Sequence, residues 1–403
     1  MSASRTNSRT DSVEEKLRIG FDARWYNTSG VGRYVAELMQ AVAEIEDGLE
    51  LIVFENPENP VPACSNVRKV AVRSSRFSLS AQFEFRSLCR SHGIDIFHVP
   101  FQYGAPLFLP CPMVITIHDL TPFLFRTRSW LKQMLAVPLV KVGYLLAARC
   151  AEHIIADSEN TARDARRILG IPRARITPIH LAASQKYFHA GGLAGEAERI
   201  LHKYSLHAPF VMLSSADNWR VKNMETALRA LALARDFSAI EFDVVIYGPE
   251  AGLNALEKRN LTSRLRIRRA GYVPLEDLGA LFRNASLFIN ASLYEGFGLP
   301  VLEAMSCGCP VVSSNGGSLA EVAGRGAQLF DPMDAQGMAR AISNLLCNPD
   351  ERERWRSRAL ARASEFSWRK TAEQTLLVYK QACRSPHLSH DFAFSHDAPR
   401  PRA

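Results

Sequence analysis

Glu295 and Glu303 stand eight positions apart around Gly296-Phe297-Gly298, in the run NASLYEGFGLPVLEAMSCGCPVVSSNGG. An apolar run (Leu287 to Ile289) ends in small residues. A turn, a helix-like segment (Leu299 to Met305) and a second apolar run (Pro310 to Ser314) follow. A β-loop-α-β unit of this kind puts Glu295 at the carboxyl end of a strand. Glu303 then lies about two turns along the helix, on the side where open α/β sheets bind ligands. Two hydroxyl-accepting carboxylates beside bare backbone N–H groups suit a polyhydroxylated ligand attached to a phosphate.

Other segments carry chemistry of the same kind. Gly30 and Gly32 precede a stretch with helical periodicity, and a glycine-rich loop feeding a helix N-terminus lets backbone N–H groups approach an anion. The missing third glycine, and the missing acid about 20 residues later, argue against a dinucleotide dehydrogenase. The apolar strand VITIHDL ends in His118-Asp119, where a histidine meets the crevice and the aspartate holds the loop. In IIADSENTARDARRILGI, Ser158 and Thr161 lie near a helix start, and Arg163 is the one arginine placed to reach a ligand. Lys222-Asn223 precede another helical segment.

These segments together resemble the retaining, nucleotide-sugar-dependent glycosyltransferases of group 1, the family that includes bacterial mannosyl- and glucosyltransferases. The Glu-x7-Glu motif with Tyr294, Pro300, Ala304, Gly308 and Pro310-Val311 around it carries most of that resemblance. The resemblance implies the GT-B fold and site roles as follows. Glu303 would hold the ribose hydroxyls and Glu295 the sugar, beside the backbone of Gly296, Phe297, Gly298 and Leu299. Lys222 would bind the donor diphosphate, where a fixed cation stabilises the charge of the departing nucleoside diphosphate. Gly30 and Gly32 would face that diphosphate, and His118 would meet the transferred sugar. Gly271-Tyr272-Val273 would lie against the base. The family pattern has a glycine after the strand before Lys222 and an arginine close by. Here Ser214-Ser215-Ala216 follow that strand and Arg220 is displaced by one, which makes Arg220 the weaker candidate. GDP-mannose is the donor first indicated, with UDP-sugars next. Beyond that co-substrate no cofactor is implied, and no metal.

The elements that must position these residues alternate along the chain. Strands are predicted at 17–22, 50–55, 67–72, 95–99, 113–118, 153–157 and 175–180, then at 210–215, 242–247, 265–273, 287–290, 310–314 and 327–330. Longer amphipathic segments separate them, the pattern of parallel sheets flanked by helices. An α/β protein of two doubly wound, Rossmann-like domains facing across a cleft follows, and 403 residues is too long for one ordinary core. The expected division is a disordered tail at 1–16, an acceptor-side domain at 17–190 and a mobile linker at 191–206. A nucleotide-sugar domain follows at 207–365, a closing helix at 366–384 that returns to the first domain, and a polar tail at 385–403.

No uncharged apolar run approaches 18 residues, and residues 1–16 do not read as a secretory signal. Eight scattered cysteines suit buried small hydrophobes in a reducing cytosol, and the Cys307/Cys309 spacing does not suit a metal site. Net charge is +8, and residues 76–186 hold 14 Lys/Arg against 7 Asp/Glu. No nucleic-acid-binding signature accompanies that bias. Anionic lipid headgroups, a phosphorylated acceptor or a solvated surface each account for it. The segment 125–150 mixes basic and apolar residues with Trp130, which suits a cytoplasmic protein resting on a membrane that carries a lipid-linked acceptor. Two other readings stay open: a non-catalytic partner subunit of the same fold, and a sugar phosphorylase or nucleotide-sugar epimerase.

Overall fold

The computed structural model describes residues 16–384 apart from 27–28, 46–47, 65, 77, 126–129, 217 and 250–262, and, for side chains, also apart from 29 and 130–136. Seven parallel strands form the first sheet: β1 (Leu17–Asp22), β2 (Leu49–Glu55), β3 (Val67–Ala71), β4 (Ile96–Val99), β5 (Met113–Ile117), β6 (His153–Ala156) and β7 (Ile176–Pro178). Their order is β3-β2-β1-β4-β5-β6-β7. The second sheet has six: β8 (Phe210–Ser214), β9 (Asp243–Tyr247), β10 (Arg266–Gly271), β11 (Leu287–Asn290), β12 (Val311–Ser314) and β13 (Gln328–Phe330). Its order, β10-β9-β8-β11-β12-β13, repeats that of the first six strands.

The central strands form where the sequence puts short apolar runs, because a parallel sheet covered on both faces buries its side chains there. In β5 and β8 all five residues are buried. The predicted strand at 265–273 stops at Gly271, whose φ of +59° turns the chain out of the sheet.

Strand order reverses between β1 and β4 and again between β8 and β11, the places where such sheets open a crevice. Helix α1 (Ser29–Glu44) follows β1, α2 (Leu79–Ser91) precedes β4, α3 (Thr121–Leu124) and α4 (Trp130–Cys150) follow β5, and α5 (Glu159–Leu169) follows β6. In the second half α7 (Met224–Ser238) follows β8, α8 (Leu275–Asn284) precedes β11, α9 (Leu299–Ser306) follows β11 and α10 (Leu319–Ala323) follows β12.

Between the sheets the glycine-containing stretch is not featureless. It holds helix α6 (Glu196–Lys203), whose buried Glu196 takes both guanidinium nitrogens of Arg283 on α8 at 2.6 and 2.8 Å. After α11 (Ala335–Cys347) and α12 (Pro349–Ala363), helix α13 (Trp368–Arg384) crosses back and packs on α1. The Ser367 hydroxyl accepts from the Lys370 N–H at its start. The Tyr379 hydroxyl meets His98 Nδ1 at 2.5 Å; His98 Nε2 meets Thr116 Oγ1 at 2.8 Å, and Thr116 meets the Tyr34 hydroxyl at 2.8 Å. Burial, aided by the charge of His118, pushes His98 down to about 3, so this chain of groups is neutral and internally satisfied. One apolar core runs continuously from Ile19 and Val35 in the first sheet's layer to Met212 and Leu302 in the second's. The two sheets are therefore held together by packing as well as by the chain. Cys307 and Cys309 are buried in that core.

Candidate active site

The loop after β11 is the centre of the site. It is built to a shape that only glycine allows. Gly298 has φ +101° and starts α9, and a Cβ there would meet Leu319 at 2.7 Å. A Cβ on Gly296 would drive into the carbonyl oxygen of His118, so the second domain's loop lies directly on the end of β5 in the first. The Gly296 carbonyl accepts from the hydroxyls of Ser158 (2.7 Å) and Thr161 (3.0 Å) at the start of α5. From the other side, the Ser318 hydroxyl donates to the carbonyls of Glu295 (2.9 Å) and Phe297 (2.7 Å). Phe297 itself is buried.

With its carbonyls so employed, the loop turns its donors elsewhere. The backbone N–H groups of Gly296, Phe297, Gly298 and Leu299 make no hydrogen bond among the described residues. They form an open helix N-terminus, a ready anion site.

Lys222 Nζ lies 2.6 Å from Glu295 Oε1, which also accepts from the Ser292 hydroxyl at 2.6 Å. Lys222 is fixed by its neighbour Asn223, whose φ is +52° and whose amide donates to the carbonyls of Ala291 (3.0 Å) and Pro332 (2.7 Å). Glu303 is buried on α9; one oxygen pairs with Arg33 from α1, and the other has no partner among the described residues. Burial raises the Glu303 carboxyl, against the pull of Arg33 and Lys222. A buried acceptor with a vacant lone pair suits a ligand hydroxyl.

Opposite stands His118. Its Nδ1 meets Asp157 Oδ2 at 2.7 Å and its Nε2 meets the Pro100 carbonyl at 2.7 Å. The Pro100 carbonyl can only accept, so Nε2 carries a proton, and a second proton lies between Nδ1 and Asp157. Burial works to lower its pKa, but Asp157, the Pro100 carbonyl and Asp119 outweigh it, and the net shift is upward. Asp119 Oδ1 accepts from the Thr121 N–H at 2.8 Å, which fixes the loop. Between the domains lies a cavity of about 360 Å³ bounded by Phe101, Tyr103, Asp119, Tyr294, Glu295 and Lys222.

Two family models match the chain, "Glycosyltransferase Family 4" over residues 28–184 and "Glycosyl transferases group 1" over 199–362. An O-antigen chain mannosyltransferase B from Escherichia coli is 30% identical over 381 residues, covering 88% of this chain and 97% of that protein. The chain belongs to the group 1 glycosyltransferases. Two solved structures share the transferase's fold. A sucrose-phosphate synthase from Thermosynechococcus elongatus superposes with a TM-score of 0.73 at 20% identity, covering 91% of this chain and 99% of that one. An Anabaena protein solved in complex with UDP-glucose gives 0.69 at 18%, covering 90% and 99%. Both are built as this transferase is, in the two-domain GT-B arrangement.

Within the transferase the residues singled out from the sequence separate into two groups. Lys222, Glu295 and Gly296 line the cleft, the His118 backbone lies directly behind Gly296 with its ring turned to Asp157 and Pro100, and Glu303 is buried on α9. Gly30 and Gly32 fall inside the first turn of α1 instead of in a loop, and a Cβ on Gly30 would meet open space. Arg220 is exposed over the Trp219 ring, 5.6 Å from its centroid, away from Lys222's partners. Arg163 is exposed on α5. Gly271 accepts from the Gly248 N–H at 2.7 Å, Tyr272 is 84% exposed and Val273 packs on the core. Sequence reasoning missed Arg33, Asp157 and Glu321. Glu321 on α10 accepts from the N–H groups of Glu159 (2.9 Å) and Asn160 (3.2 Å) and pairs with His180 at 2.5 Å, clamping the start of α5. Arg33 had a local signal, standing directly after Gly32 in the same short text.

Proposed function

We propose that the protein moves a hexose, mannose first, from a nucleoside-diphosphate sugar to a hydroxyl of a glycan or lipid-linked acceptor, with retention of configuration and without a metal ion. The observation that supports this best is the pairing of Lys222 with Glu295 beside the open N-terminus of α9. A bound donor would take both partners: its diphosphate Lys222 and the N–H groups, its sugar hydroxyls Glu295. The free oxygen of Glu303 would accept from the ribose. Lys222 and the helix N-terminus supply the positive charge that the departing diphosphate needs, so the scheme calls for no divalent cation. The bond from the anomeric carbon to the phosphate oxygen breaks. The acceptor oxygen attacks from the same face, and its proton passes to the leaving phosphate. His118, whose pKa Asp157 holds above the ordinary value, backs the loop, and the closed contact of Gly296 on the His118 carbonyl keeps water out.

Calorimetric titration with GDP, UDP, ADP and dTDP tests the donor. Selective binding of one, weakened by Lys222→Ala and by Glu303→Ala, supports the scheme; no binding of any favours a non-catalytic partner subunit. The anomeric signal of the product by NMR, measured with and without a chelator, tests retention and metal independence.

Placement on a membrane has its own support. Among the described residues no helix is long and apolar enough to cross one. On α4, Leu139, Val142 and Leu146 are exposed at helical spacing, and on α2 Leu79 and Phe83 are exposed, both helices covering the same face of the first sheet. Trp130 and the basic residues 126, 128 and 132 lie outside the described side chains. Flotation with vesicles containing anionic lipid checks this: protein left at the bottom of the gradient would dismiss it.

A further inference from the structure

A second cavity, of about 690 Å³, opens at the carboxyl ends of β1, β2 and β3. Arg24 lines it directly after β1, Asn56 to Glu58 after β2, and Val72 to Arg76 after β3. It is thus on the ligand-binding edge of the first sheet, displaced from the loops after β4 and β5 that make the cleft.

Its floor is a buried guanidinium. Arg24 is 2% exposed, and its Nε and Nη2 are taken by the two oxygens of Asp22 at 2.9 and 2.7 Å, with Nη2 also reaching the Gly104 carbonyl at 3.2 Å. Its Nη1 has no hydrogen-bond partner among the described residues. A buried charged donor left unpaired is costly, and such an atom calls for a partner. Two further guanidiniums stand over it. Arg73 is exposed and Arg76 lies on the Trp25 ring, 4.5 Å from its centroid; neither makes an ion pair among the described residues.

The acids nearby are mostly spent. Asp22 is consumed by Arg24, and Glu84 is held by the N–H groups of Arg73 and Ser74 and by the Ser74 hydroxyl. Glu58 alone lines the cavity as a carboxylate, and it is exposed. Two guanidinium forks, Arg73 and Arg76, line the same space as Arg24, whose Nη1 is left over by Asp22, and this donor set suits the oxygens of a phosphate better than a neutral ligand.

The cavity is wired to the cleft by two rings. Trp25, under Arg76, meets Phe101 edge-on at 4.6 Å, and Phe101 lines the cleft and stacks on His118 at 6.0 Å. With strands about 4.8 Å apart, groups at the ends of β1 to β3 sit on the order of 10–19 Å from the end of β5.

The geometry points to a binding site for a phosphate or diphosphate group formed by Arg24, Arg73 and Arg76, holding the anionic part of the acceptor while its hydroxyl enters the cleft. That the anion belongs to the acceptor rests on the transferase scheme above; that the site takes phosphate does not.

The probe is inorganic pyrophosphate, titrated calorimetrically into the full chain at low salt. The donor's diphosphate site is disabled by Lys222→Ala, so binding that survives in that variant comes from elsewhere. Arg73→Gln/Arg76→Gln changes a surface pair, leaves buried Arg24 in place and is checked for an unchanged melting temperature. Saturable binding kept in Lys222→Ala and weakened at least about tenfold in Arg73→Gln/Arg76→Gln is expected. Absent binding, or binding lost with Lys222 and indifferent to the two arginines, overturns the site. Flotation then separates the sources. Capture by phosphatidic acid vesicles that depends on Arg73 and Arg76 assigns the anion to a lipid headgroup. Pyrophosphate binding with no such capture assigns it to a soluble phosphate. Neither donor nor acceptor enters the titration, so its failure leaves the transferase scheme standing.

Discussion

Lys222 and Glu295, 73 positions apart, are 2.6 Å from each other at the cleft. Under the proposed scheme, donor binding would exchange that ion pair for two ligand contacts.

Lys222→Ala therefore loses twice. The diphosphate loses its cation, and Glu295 is left with an unpaired charge. We expect kcat/KM to fall by roughly 10²–10³, about 2.7–4 kcal/mol of barrier. Lys222→Arg should recover part of it. Steady-state kinetics with a saturating acceptor reads both, and unchanged kcat/KM in the alanine variant would falsify the role.

Gly296→Ala places a methyl where the His118 carbonyl lies. Each domain can still fold, but the two cannot close to the distance seen here. We expect kcat to drop on the order of a hundredfold, while nucleotide binding to the second domain stays within a few-fold. Calorimetry and turnover measured on the same preparation separate the two effects; equal loss of both would point to misfolding instead.

His118 is raised from its ordinary value because Asp157 and the Pro100 carbonyl overcome burial. A histidine whose folded pKa lies above its unfolded one contributes stability fully present below the unfolded value of about 6.5. That contribution fades as pH climbs through the higher folded value. Asp157→Asn removes the main support, so the His118 ring proton should titrate at lower pH and the fade should start earlier. NMR titration of the His118 ring, with melting curves at pH 6 and above, reads both shifts.

Glu321 reports on closure from the other side of the cleft. Burial raises its carboxyl, but His180 and the N–H groups of Glu159 and Asn160 bring it below its usual value. The clamp is complete above the unfolded pKa of about 4.3 and is lost as pH falls through the lower folded one. Glu321→Ala removes what is in effect a cap on α5, so a cost of about 1–2 kcal/mol and a few degrees of melting temperature is expected. X-ray scattering should show the variant more extended than the parent at neutral pH; an unchanged radius would remove Glu321 from the closing contact.

Much of this architecture is legible in the sequence because it is local. A strand buried on both faces writes itself as an apolar run, as in β5 and β8, whereas the outer strands β3 and β10 carry Arg and Lys and are only partly buried. The motif around Glu295 and Glu303 is equally compact, with both acids on one β-loop-α unit. What stays hidden is pairing at a distance. Arg33 meets Glu303 across 270 positions, His118 meets Asp157 across 39 and Glu321 caps a helix 162 positions earlier. No period or spacing connects these partners: the Arg33 and Glu321 contacts need the two sheets to face one another, and His118 needs β5 paired with β6 to meet Asp157. The three glycines at 191–195 likewise suggest a loose joint, while Glu196, beside them, is pinned by Arg283 from 87 positions away.

Helix α13 has a consequence for the order in which the molecule is made. Tyr379 completes a buried network with His98, Thr116 and Tyr34, three residues of the first domain. On a ribosome those three appear long before their partner. Until Trp368–Arg384 emerge, His98 Nδ1 lacks its hydroxyl and the outer side of α1 is bare. The domain that is translated first is therefore finished last, and a chain stopped after the second sheet carries an unsealed first domain with it.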